Sequence, residues 1–111
     1  MSTDALLVLT TVPDEATAQR LTDAALAARL VACVTRLAPA TSTYRWQGRV
    51  ECETEIPLLL KTRRDCYAAL QALLNELHPY EVPEILAFAA CDGLPAWLDW
   101  LRAETTALPA S

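Results

Sequence analysis

Two extended segments, residues 31–46 and 49–62, meet at Gln47-Gly48, and this pairing restricts the fold of the chain more than any other feature. Gly48 is the first of two glycines, and Gln-Gly suits a tight hairpin turn when both flanks read as strand. In the second segment Val50, Cys52, Thr54, Ile56, Leu58 and Leu60 share one face, while Glu51, Glu53, Glu55 and Lys61 share the other. That period of two predicts a strand with an apolar and a charged side. Pro57 has no N–H for a ladder, so it is expected at an edge or a bulge, where the tip can bend from the base. Each arm is more than twice the usual strand of about 5 to 6 residues. A hairpin longer than the helices beside it leaves backbone edges and apolar surface uncovered, which pairing with neighbouring subunits relieves. A closed homo-oligomer is therefore expected.

The rest of the chain alternates in type. Residues 5–11 form a short apolar run, too short for three helical turns, and read as a strand ended by Val12-Pro13. Asp14 is placed to cap a helix extending to Arg29, with Ala18, Leu21, Ala25 and Ala28 on its packing stripe. Helical spacing returns over 64–78, where Cys66, Leu70, Leu73 and Leu77 line one stripe and Pro79 ends it. Residues 82–91 read as a strand, Asp92-Gly93 as a turn, and Pro95 as the start of a helix to about Glu104. Residues 105–111 are expected to fray. The order strand, helix, strand, strand, helix, strand, helix predicts one α+β domain over 1–111. It is a ferredoxin-like βαββαβ sandwich with a long central hairpin and an added C-terminal helix. Trp97, Trp100 and Leu101 on that helix either fill a subunit contact or close the open side of the protomer's own sheet.

Charge and composition remove several functions. With 14 acidic against 9 basic residues the net charge is −5, so no cationic surface is available for nucleic acid, and no such partner is expected. One histidine, His78, and one methionine cannot furnish a zinc finger or a methionine-rich copper carrier within a chain. Cys33, Cys52, Cys66 and Cys91 are widely spaced, and the start of the chain lacks a charged leader, so reduced thiols and a cytoplasmic location are expected. No apolar run approaches the roughly 18 to 20 residues of a membrane span, so no membrane partner is expected.

The most constrained segment is His78, Pro79, Tyr80, Glu81, Val82, Pro83, Glu84, in which two prolines hold the residues before them extended. His78 has two readings. At a helix C-terminus it serves the last carbonyls, or with Glu81 and Glu84 it coordinates a divalent transition metal, joined by a thiolate across a subunit boundary. Cys33 is either such a thiolate or a small buried hydrophobe; Cys52 and Cys66 are expected in the core. Glu51, Glu53 and Glu55 read as a solvated face or as carboxylates for a hard cation, with Lys61 neutralising one of them or binding an anion. Only two glycines leave no phosphate-cradling loop, and no nucleophile pairs with a base, so an enzyme is not expected.

Thr11-Val12-Pro13-Asp14-Glu15-Ala16, Leu30-Val31-Ala32-Cys33-Val34, Tyr44-Arg45-Trp46-Gln47-Gly48, Lys61-Thr62 and the 78–84 segment together resemble the CutA divalent-cation-tolerance family, in its order and spacing from about Leu6 to Leu101. The resemblance implies a ferredoxin-like protomer in a tight homotrimer with hairpins paired between subunits. It also implies a cytoplasmic role in tolerance of copper and other divalent cations, with no catalysed reaction. In members with an assigned copper site, the histidine matching His78 follows a second histidine, and a cysteine ends the first strand. Here Leu77 and Thr10 stand at those positions, so a chelate of that design cannot form. Cu(II) or another divalent cation is then left to weak binding by His78 with Glu81, Glu84 or water. No organic cofactor is evident. Cys33, Tyr44, Trp46, Lys61 and Tyr80 match other family positions and imply a ligand cleft between subunits. The alternative function is accordingly a signalling or scaffold trimer that binds a small organic effector there.

Overall fold

The computed structural model describes residues 3–107. In chain order the elements are β1 (Ala5–Val12), α1 (Glu15–Ala27), β2 (Cys33–Arg36), β3 (Ala40–Trp46), β4 (Arg49–Arg63), α2 (Arg64–Leu77), β5 (Ile85–Ala89) and α3 (Pro95–Glu104). The strands lie in the order β2-β4-β1-β5, with β3 paired to the outer part of β4, and every pairing is antiparallel. Each of the two parallel pairs, β1 with β2 and β4 with β5, is joined through a helix and separated by one antiparallel strand. This is the split βαβ arrangement expected of the ferredoxin-like class.

Helices α1 and α2 cover one face of the sheet. Val8, Val12, Leu58 and Leu60 meet Ala18, Leu21, Ala25, Cys66, Leu70 and Leu74 in the main core, all without exposed surface. Asp14 caps α1 as expected, its Oδ1 accepting the Thr17 N–H at 2.8 Å. The carboxylate is held below its usual range by that backbone bond, then by the Thr17 hydroxyl. α1 ends on Arg29 in the left-handed region, φ 58°, with Leu30 N–H donating to Ala25 O and Arg29 N–H to Leu26 O. Those two bonds form a Schellman closure, which glycine usually makes.

The first arm of the hairpin differs from the sequence expectation. It breaks at residues 37–39 into β2 and β3. Arg36 stands opposite Leu58, yet Ala40 stands opposite Glu55, so three residues of the first arm face two of β4 and the register advances by one. Pro57 occupies this break, where its carbonyl accepts the Leu37 N–H at 3.0 Å and its missing N–H leaves no regular rung interrupted. Gln47 and Gly48, at φ 50° and 80°, form the two-residue turn with Trp46 opposite Arg49.

Three further expectations are corrected. Cys52 is exposed and not in the core, because no second layer covers the projecting part of the hairpin. The last strand begins at Ile85 and ends at Ala89, since Pro83 keeps the preceding segment off the sheet edge and Cys91 falls past the final rung, exposed. Thr105 is buried and is bonded by the Arg63 guanidinium through its hydroxyl at 2.8 Å and its carbonyl at 3.1 Å, so fraying does not begin there. The rest of the tail expectation, residues 108–111, lies outside the described residues.

Thr10 sits in the core at 0% exposure, and its hydroxyl meets no partner among the described residues. A buried hydroxyl without a partner costs about 1–3 kcal/mol. Thr10→Val, which keeps the shape and removes the oxygen, is therefore expected to raise the unfolding free energy by about 1 kcal/mol in a urea titration. A loss of stability would show that the hydroxyl is satisfied.

Candidate functional site

A cavity of about 610 Å³ opens where the hairpin leaves the sheet. One wall is the hairpin, with Tyr44, Trp46, Glu53 and Glu55; the other is the 80–84 segment, with Tyr80, Glu81 and Glu84; the end of β1 supplies the floor. Alternation on β3 and β4 puts Tyr44 on the face of its rung partner Glu51 and of Glu53 and Glu55. The stop of α2 leaves His78 extended before Pro79, and the chain then bends through residues 79–82 along the opposite wall.

His78 sets the position of that wall. Its backbone N–H closes the last turn of α2 on Leu74 O at 2.9 Å. The ladder between β1 and β5 ends at Thr10 opposite Ile85, and the carbonyl of the next residue, Thr11, is met by His78 Nε2 at 2.8 Å. A carbonyl only accepts, so Nε2 carries the proton; Nδ1 then accepts the Tyr80 N–H at 3.2 Å. The ring is 7% exposed and lies 4.7 Å from the Tyr80 ring, tilted by 50°. Both nitrogens are thus engaged, and neither presents a lone pair to the cavity.

Tyr80 turns its hydroxyl to the other wall and donates to Glu55 Oε2 at 2.8 Å. Burial, then the bond to Glu55 and its charge, push the Tyr80 phenol well above the ordinary value of 10.0. Glu55 is 7% exposed, so the reading of a solvated acidic ladder is corrected at this position. Loss of hydration, followed by the carboxylates of Glu53, Glu51 and Glu55, also raises the Tyr44 phenol. The cavity therefore combines neutral phenols, an indole and four carboxylates, with no cationic side chain in its lining.

Of the residues singled out in the sequence, the structure brings Tyr44, Trp46, Tyr80, Glu81 and Glu84 together and places His78 behind them. Cys33 and Lys61 lie elsewhere. They are rung partners on β2 and β4, with Lys61 Nζ donating to Cys33 Sγ at 3.6 Å and to the Thr35 hydroxyl. Lys61 stands six positions along β4 from Glu55, about 20 Å at roughly 3.4 Å per residue. Glu53 and Glu55 complete the cavity although they were not among the cleft residues picked from the sequence. Among the described residues, no group of three His, Cys, Asp or Glu side chains is gathered to hold a metal ion.

Comparison with known proteins agrees with the resemblance noted in the sequence. The family described as CutA1 divalent ion tolerance protein matches residues 6–104. The "Divalent-cation tolerance protein CutA" of Yersinia pestis (strain Pestoides F) is 45% identical over 100 residues, covering 90% of this chain and 84% of that protein. Among solved structures, CutA from Xylella fastidiosa superposes with a TM-score of 0.91 at 41% identity, over 94% of this chain and 100% of that one. The divalent cation tolerance protein (Cut A1) from Thermus thermophilus gives 0.89 at 42%, over 92% and 99%.

The bond between Tyr80 and Glu55 should register in stability. Tyr80→Phe leaves a buried carboxylate without its donor and is expected to cost about 1–3 kcal/mol at pH 7 by urea denaturation. The folded phenol titrates above its unfolded value of 10.0, so its contribution is complete below pH 10 and falls as pH rises beyond it. The gap between wild type and variant should accordingly narrow above pH 10. A gap that widens there would overturn this account.

Proposed function

The chain belongs to the CutA1 divalent ion tolerance family, and we propose that it acts as a cytoplasmic homotrimer that binds a divalent cation, Cu(II) in the first instance, weakly at its acidic cavity. The family is defined by cation tolerance and not by a reaction, in keeping with the expectation of a non-enzyme. One observation carries the metal reading: four carboxylates line a cavity whose lining holds no positive side chain. Such a site concentrates cations. Glu81 and Glu84 are exposed and free to turn toward an ion, whereas His78 joins only by giving up Thr11 O or the Tyr80 N–H. Binding without a gathered ligand set is weak, which fits Leu77 and Thr10 at positions where other members carry His and Cys.

Support for assembly comes from the side of the sheet opposite α1 and α2. Register puts Leu7, Leu9, Leu59, Leu86 and Phe88 on that side, and Leu86 and Phe88 are each 48% exposed. Trp97 and Trp100 are also about two-fifths exposed, so part of their ring surface is left for a subunit contact. Apolar surface of this extent favours self-association. The cytoplasmic location rests on four free thiols; recovery in an oxidising compartment on cell fractionation would count against it.

A second reading has its own observation. Three aromatic rings line a cavity of about 610 Å³, within the roughly 300–1,000 Å³ range of small-molecule sites. Under it the cleft holds a small organic effector and the protein acts as a signalling or scaffold trimer.

Calorimetric titration with Cu(II) tests the metal reading. The double variant Glu81→Gln, Glu84→Gln should weaken binding by about tenfold, the equivalent of about 1.4 kcal/mol. Binding unchanged in that variant and in His78→Ala would remove all three residues from the site. For the assembly, light scattering at micromolar concentration should give three chain masses for the wild type and a smaller species for Phe88→Glu. A monomeric wild type would end the trimer proposal.

A further inference from the structure

Resting on the second of these readings, we propose that the cavity between the hairpin and the 80–84 segment takes an organic cation, an ammonium or guanidinium head carried on an apolar body. The lining offers acceptors and π-faces in combination. Glu53, Glu81 and Glu84 are exposed carboxylates on facing walls, while Glu55 is already committed to the Tyr80 hydroxyl. Tyr44 and Trp46 are each 40% exposed on the hairpin wall, so neither ring is covered from within its own chain.

Each ligand class meets this lining differently. An anion finds four carboxylates and no cationic side chain, and is repelled. A bare divalent ion needs several oxygens converging at about 2.0–2.6 Å, whereas the carboxylates here stand on separate walls of a cavity large enough for a small molecule. A neutral apolar molecule can stack on the rings but leaves the charges uncompensated. A cationic head joined to an apolar body uses both features, through charge-assisted hydrogen bonds to carboxylate and a cation–π contact with indole or phenol. Tyr80 reinforces the preference. Its hydroxyl hydrogen is spent on Glu55, which leaves the wall poor in donors and rich in acceptors.

Three probes of nearly equal shape separate these cases: benzylammonium, benzyl alcohol and benzoate, each titrated into the intact ¹⁵N-labelled protein at pH 7. The Trp46 indole resonance is identified by its absence in Trp46→Phe. Benzylammonium is expected to shift that resonance saturably and to bind at least tenfold more tightly than benzyl alcohol, with no effect from benzoate. Glu53→Gln, which alters one exposed carboxylate, should weaken benzylammonium binding by about threefold to tenfold, and Tyr44→Leu by about twofold to thirtyfold. Equal binding of benzyl alcohol, or tighter binding of benzoate, at the same resonance would overturn the cationic assignment and leave an organic cleft standing. If no probe moves Trp46 at millimolar concentration, the organic cleft fails as well. Benzylammonium affinity unchanged in both Glu53→Gln and Tyr44→Leu would overturn the placement.

Discussion

Everything in this protein depends on the unequal company kept along β4. Over residues 56–63 it is flanked by β1, with β2 along much of its other edge, and one of its faces lies under two helices, so the side chains of Ile56, Leu58 and Leu60 are buried within one chain. Over residues 49–55 it has β3 alone and no layer on either face. The first half is an ordinary sandwich core. The second is a lever that gives the molecule a long axis of 44 Å against 30 and 23 Å across. A cavity opens in the crook where the lever leaves the sheet, and the 80–84 segment lines its other side.

The crook is held by groups whose hydrogen-bonding roles exclude alternatives. His78 donates to a carbonyl and accepts from an amide, which fixes the ring as a structural clasp between the end of α2 and the end of β1. Tyr80 spans the gap to Glu55 and keeps a buried carboxylate company. A single segment thus provides the clasp, the strut and two exposed acids. Of the residues that carry the resemblance to the family, those of the 78–84 segment, Tyr44 and Trp46 shape the cavity, and only some of them face a ligand.

Elements with a local cause were legible from the amino-acid sequence. Asp14 caps α1 because its carboxylate reaches a nearby amide, and helical spacing buries Cys66 and Leu70 of the expected α2 stripe, although Leu74 completes the buried face and Leu73 and Leu77 are only partly buried. The features that escaped are set by distant partners. Arg29 closes α1 in a conformation that usually asks for glycine, and its guanidinium meanwhile bonds Ala103 O and its carbonyl takes the Thr106 N–H. Glu55 looks identical in pattern to Glu51 and Glu53, yet Tyr80, 25 positions away, makes it a buried acceptor. Cys52 falls on an apolar stripe that has nothing above it. The break at 37–39 has Pro39 as its only local mark, and its register consequence depends on a strand that comes later in the chain.

That break decides parity. Upstream of it, odd residues of the first arm stand opposite odd residues of β4, as Cys33 does with Lys61; downstream, even stands opposite odd, as Tyr44 does with Glu51. The two-residue turn fixes the register of the outer hairpin, and side chains alternate along a strand, so the extra residue between Arg36 and Ala40 inverts the alternation of the first arm relative to β4. Even residues of the first arm therefore face the helices in β2, where Val34 pairs with Leu60 and packs on the core, and face the acids in β3, where Tyr44 pairs with Glu51. One arm thus serves the core and the cavity from positions of the same parity, and the extra residue of the link is what lets it do both.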